Sequence, residues 1–120
     1  MEQPKRDLPE RTFEFARQVV ALCRTLDQVP GVSRTLANQL LRSGTSIGAN
    51  VEEGQGRQSR ADFIAKYSIA SKEARETNYW LRLLVASEIA TDLKLQDLID
   101  ESNQLIAILT SIIKTTKKNA

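Results

Sequence analysis

Four successive stretches of the chain carry apolar residues at a 3.6-residue period, and none carries the alternation of a strand. The last is the most apolar, with Leu95, Leu98, Ile99, Leu105, Ile106, Leu109, Ile112 and Ile113 on one stripe. The first uses Phe13, Phe15, Ala16, Val19, Val20, Leu22, Cys23 and Leu26, about half of a helix circumference. The second uses Leu36, Ala37, Leu40, Leu41, Gly44, Ile47, Gly48 and Val51. The third and longest uses Phe63, Tyr67, Ala70, Ala74, Thr77, Leu81 and Leu84. Four amphipathic helices joined by short turns predict an all-α, single-domain chain, folded as an antiparallel up-down-up-down four-helix bundle.

Punctuation residues set the expected helices at about 8–27, 33–53, 59–90 and 94–115. Asp7 followed by Glu10 resembles a capping box, with Pro9 tolerated in the first turn. Val29-Pro30-Gly31 ends the first helix, and Ser33 is the expected N-cap of the second. Gly54 and Gly56 bracket the next turn, with Gly54 suited to a left-handed C-terminal cap. Ser59 is the expected cap of the third helix, with Asp62 in its first turn, and Thr91-Asp92 separate it from the fourth. Gly44 and Gly48 sit four apart on the apolar stripe, where each costs up to about 1 kcal/mol of helix propensity. That cost predicts the close approach of another backbone.

Composition removes several kinds of chemistry. The chain has no histidine, which excludes Ser-His-Asp and Cys-His nucleophile arrangements, His-containing zinc sites and the Glu-x-x-His di-iron motif. The single cysteine, Cys23, lies inside the first apolar stripe and reads as a small buried thiol. The opening MEQPKRDLPE lacks the apolar core of a signal peptide, and the run Val19 to Cys23 is too short to span a bilayer. A cytoplasmic protein without membrane association, metal or cofactor is expected. Seventeen Lys+Arg against 15 Asp+Glu give a formal charge of +2, so any basic character must come from local clustering.

Three groups of residues carry the functional expectations. Ile69, Trp80 and Leu83 lie about 100° or more from the core stripe of the third helix and form a second apolar stripe. Such a stripe needs a partner of its own, so a homo-oligomer is expected. Arg57 and Arg60 at the glycine turn, Arg75 and Arg82 on the third helix, and Lys114, Lys117 and Lys118 near the end are the candidate phosphate contacts for RNA or DNA. Arg60, Arg75 and Arg82 share one helix face within roughly 60°. For the lysines, a solvated basic C-terminal helix end is the commoner reading. A polar row on the second helix, Gln39, Ser43, Ser46, Asn50 and Glu53, either hydrogen-bonds to a neighbouring helix or subunit or faces a ligand groove. An enzyme is not expected: Glu52-Glu53 and Glu73/Glu76 are the only conceivable acid-base pairs, and Lys72 to Glu76 reads as an i,i+4 ion pair. Nor does GQG amount to a nucleotide fingerprint. The competing non-catalytic reading is an interaction scaffold that holds a protein partner.

The stretch RSGTSIGANVEEGQGRQSRADFIAKYSIASKEARETNYWLRLL, Arg42 to Leu84, resembles the four-helix-bundle family of proteins encoded within bacterial 23S rRNA intervening sequences, also called the S23 ribosomal protein family. SIGANVEEG, SRADFIAK and KEARETNYWLRLL carry the likeness, with IIKTTKK near the end, and it extends over about residues 10–118. The resemblance implies a bundle monomer that assembles as a ring-like homopentamer. It also implies kinship with the accessory proteins of diversity-generating retroelements, which engage a reverse transcriptase and nucleic acid. It supplies no catalytic residues. Those accessory proteins are more basic than this chain.

Overall fold

The computed structural model describes residues 7–56 and 58–119. They form four α-helices and, among the described residues, no strand: α1 Leu8–Leu26, α2 Val32–Gln55, α3 Arg60–Ala86 and α4 Leu93–Lys118. Each start has a chemical cause. Asp7 accepts a hydrogen bond from the Glu10 amide at 2.9 Å, Ser59 from Asp62 at 3.0 Å and Asp92 from Leu95 at 3.0 Å. These caps satisfy amides that no preceding turn can reach.

The start of α2 differs from the expected Ser33 cap. Gly31 is the N-cap, at φ +94, a conformation that suits a residue without Cβ. The chain therefore enters the helix two residues early, and Ser33 turns inward. Its hydroxyl donates to the Leu26 carbonyl at 2.8 Å, closing an orphan acceptor at the end of α1. Gly54 is also not a left-handed cap. The helix continues through it to Gln55, and Gly54 is instead pressed against Tyr67, whose ring would lie 2.7 Å from an added Cβ. The helix α3 ends at Ala86, short of the expected position near 90. There Glu88 takes φ 58, and the amides of Glu88 and Ile89 bond to the carbonyls of Val85 and Leu84 at 3.0 Å each. This is a Schellman closure with a glutamate in the place usually held by glycine.

Consecutive helices pack side by side, and α1 also meets α4 over a smaller area. The core takes one stripe from each: Phe15, Val19, Cys23 and Leu26; Ala37, Leu40, Ile47 and Val51; Tyr67, Ala70, Ala74, Leu81 and Leu84; Leu95, Leu98, Ile99, Leu105 and Leu109. Cys23 is buried, and burial pushes its thiol up to about 11. Gly48 lies against the backbone of Thr12 and Gly44 against the side chain of Val19, so small residues let α1 and α2 close together. The apolar stripe of α1 is wider than its buried face. Phe13 is 66% exposed, and Val20 and Leu41 of α2 are exposed on the same flank. At the α1–α4 seam, Arg11 makes a paired contact with Glu101 at 2.6 and 2.8 Å.

Candidate nucleic-acid interface

The longest helix, α3, shows three faces. One is the core stripe. A second faces α2, where Thr77 bonds to Ser43 at 2.9 Å and Lys66 pairs with Glu53 at 3.1 Å. The polar row of α2 thus partly serves its neighbouring helix, while Ser46 and Asn50 bond back to Arg42 and Ser46 carbonyls of their own helix. On this flank Arg42 of α2 bonds both Glu73, at 3.3 Å, and Glu76. Glu76 also accepts from Trp80 Nε1 at 3.1 Å. The Trp80 hydrogen bond, followed by the Arg42 guanidinium, holds the Glu76 carboxyl below the ordinary glutamate value. The expected Lys72–Glu76 ion pair is displaced by this arrangement; Lys72 contributes only charge at a distance. Both glutamates once conceivable as an acid-base pair are structural partners of one arginine.

The second apolar stripe of α3 falls on the same flank. Ile69 is 41% exposed, Leu83 is half-buried, and Trp80 is half-buried with part of its ring against the core. Tyr79 stands edge-on to Trp80, ring centres 5.1 Å apart, and is half exposed.

The third face of α3 adjoins α4. Asn78 is buried there, donating to Ser102 at 2.9 Å and to Asn103 at 3.2 Å, and it accepts from Arg82 Nε at 2.8 Å. Arg60, Arg75 and Arg82 are all exposed, as are Lys114, Lys117 and Lys118 of α4. Ser68 and Ser71 of α3 lie with Thr110, Lys114 and Lys117 of α4 along a shallow groove of 370 Å³. Arg57 lies outside the described residues. The structure therefore brings Lys114 and Lys117 beside α3, and it adds Ser68, Ser71 and Thr110, which the sequence reading passed over. Their signal was present, since Ser68, Ser71 and Arg75 recur at helical spacing on one face.

The cations of this face stand outside any ion pair, as Arg24, Lys72 and Lys94 do elsewhere among the described residues. Ion pairs among the described residues use Arg11, Arg17, Arg34, Arg42 and Lys66. None uses Arg60, Arg75, Arg82, Lys114, Lys117 or Lys118. After Glu101, α4 contains no carboxylate, and between Asp62 and Glu88 the only acids of α3 are Glu73 and Glu76, both held on the other flank. Among the described residues no carboxylate lies within ion-pair distance of these six cations. Among the described residues no cluster of His, Cys, Asp or Glu could hold a metal ion. No helix among them is long and apolar enough to cross a membrane.

A solved structure of similar fold is that of a protein of unknown function from the S23 ribosomal protein family of Bacteroides thetaiotaomicron VPI-5482. It is 44% identical, with 90% of this chain and 99% of that chain covered and a TM-score of 0.83. Comparison with curated proteins gives no match. A model of the 23S rRNA-intervening sequence proteins matches residues 5–111, and the chain belongs to that family.

Proposed function

We propose that the protein is a non-enzymatic homo-oligomer, a ring of bundles that associates with RNA or DNA through a basic face repeated on every copy. The observation that carries this reading is the grouping of exposed cations in no ion pair on the α3–α4 face: Arg60, Arg75, Arg82, Lys114, Lys117 and Lys118. Phosphate affinity is mainly electrostatic, and symmetric repetition multiplies a modest local charge. Arg57 joins this set by its sequence position beside Arg60.

The antiparallel up-down-up-down topology belongs to the same proposal. Connections 27–31, 56–59 and 87–92 span at most about 20 Å when extended, whereas α3, with its 27 residues, runs for about 40 Å. A connection that short joins adjacent ends of packed neighbours. Assembly is supported by the exposure of Ile69 and the partial exposure of Trp80 and Leu83. Pentameric stoichiometry rests on the family resemblance. The single buried thiol suits a cytoplasmic setting.

A second reading is a scaffold that holds a protein partner, such as a reverse transcriptase, with no nucleic-acid binding of its own. Phe13 favours it, standing 66% exposed in a surface pocket with Glu10, Glu14 and Glu52. The two readings separate in a titration of labelled RNA and DNA, with the unmodified chain and an Arg75→Gln/Arg82→Gln variant. Nucleic-acid association predicts binding at about 50 mM salt with a steep salt dependence that flattens in the variant. Absence of binding at that salt leaves the scaffold reading.

A further inference from the structure

We propose that the groove lined by Ser68, Ser71, Thr110, Ile113, Lys114 and Lys117 is the seat of the nucleic-acid strand, and that it takes the phosphodiester backbone rather than the bases. This inference rests on the nucleic-acid reading above and adds the place and mode of contact.

The lining consists of donors. Two ammonium groups and three hydroxyls meet across the α3–α4 groove, with one isoleucine and no carboxylate. The hydroxyls are uncommitted. Thr12, Thr45, Ser46, Thr77 and Thr116 each donate to the carbonyl four residues back on their own helix, while other hydroxyls, Thr25, Thr35, Ser111 and Thr115 among them, make no such bond. Ser68, Ser71 and Thr110 bond to no described residue, and their O–H groups are free to turn toward a ligand.

The rows have matching phase. On α3, Ser68, Ser71 and Arg75 follow at intervals of three and four; on α4, Thr110, Lys114 and Lys117 follow at four and three. Each row therefore presents hydroxyls and cations along one line of its helix. The helix dipole accounts for Lys117 and Lys118, which lie in the last turn of α4. Lys114 precedes that turn and gains less from it.

The chemistry selects phosphate over base. Ammonium and hydroxyl groups meet phosphate oxygens through charge-assisted hydrogen bonds. Base stacking needs an aromatic platform, and the groove offers only Ile113. A strand held this way is bound irrespective of sequence.

The test compares the full chain with a Lys114→Gln/Lys117→Gln variant, a Ser71→Ala/Thr110→Ala variant and the Arg75→Gln/Arg82→Gln variant. Probes are labelled single strands of mixed sequence, oligo-U and oligo-A, titrated from about 50 to 200 mM salt, the interval over which the electrostatic term changes steeply. Circular dichroism checks that each variant is folded, and all six positions lie outside the buried core. The seat predicts that the lysine pair lowers the log–log salt slope by about one per lysine. It also predicts severalfold weaker binding in the hydroxyl pair at unchanged slope, and similar affinities for the two homopolymers. Binding that flattens only in the arginine pair would overturn the groove while leaving nucleic-acid association standing. A strong preference for one homopolymer would overturn the backbone mode. Failure of every strand to bind would overturn both.

Discussion

Gly48 of α2 lies against the backbone of Thr12 in α1: a methyl group on Gly48 would stand 3.3 Å from the carbonyl carbon and oxygen of Thr12. At Gly44 the same methyl would stand 2.8 Å from Val19 Cγ1, in the fully buried core. Neither neighbour is the loose end of a side chain, so α1 must shift to make room. Gly44→Ala and Gly48→Ala are therefore expected to destabilise by about 1–3 kcal/mol despite their better helix propensity. Gly56 is the control, since an added Cβ there lies 3.8 Å from the nearest heavy atom. Gly56→Ala should be neutral or slightly stabilising. Urea midpoints of the three variants check the ordering.

Leu81 and Leu109 are completely buried, on α3 and α4 respectively. Truncating either to Ala removes transfer free energy and leaves a cavity, for an expected loss of about 2–5 kcal/mol. Denaturant unfolding measures it, and an unchanged midpoint for both would contradict the core described here.

The core stripes and the Asp7 and Ser59 caps were legible because they depend on local spacing, whereas Asp92, read only as a break, proves to be the cap of α4. The expected close approach of another backbone holds at Gly48, which meets Thr12, whereas Gly44 makes room for the Val19 side chain instead. Phe13 was not legible in the same way. The stripe of α1 is wide, and which half turns inward depends on where α2 and α4 sit. Arg42 reaches Glu76 across 34 positions of sequence, so the nearer Lys72 was the natural but mistaken partner. Ser33 was misplaced because the turn chemistry of Gly31 acts two residues earlier. On the α3–α4 face, the cations were visible as residue types, but their nearness depends on two helices meeting.

Glu88 occupies the left-handed position that closes α3, at φ 58. Such a conformation costs a residue with a Cβ about 1–2 kcal/mol, and glycine avoids that cost while losing more chain entropy. Glu88→Gly is expected to raise stability by about 1 kcal/mol or less. A rise of a few degrees in thermal midpoint would fit a chain of this size. A clear fall would contradict the assigned closure.

Glu76 makes stability depend on acid. Its carboxyl is held below the ordinary value of 4.5, first by Trp80 and then by Arg42. The folded state therefore favours the charged form. Its contribution is fully present above that ordinary value and is lost as pH falls through the lower folded value. Glu76→Gln removes this titration, so its thermal midpoint should fall less steeply than the parent's from about pH 5 to 3. Parallel profiles for the two proteins would show that Glu76 contributes nothing to acid sensitivity.

Repetition of one modest basic face is the central claim, and the mass of the unmodified protein in solution tests it most directly. One chain weighs 13.4 kDa. Light scattering at micromolar concentration is expected to give a single species of several times that mass, with five copies as the predicted number. A species at the mass of one chain would contradict the account, because a solitary bundle has no ring to multiply its charge.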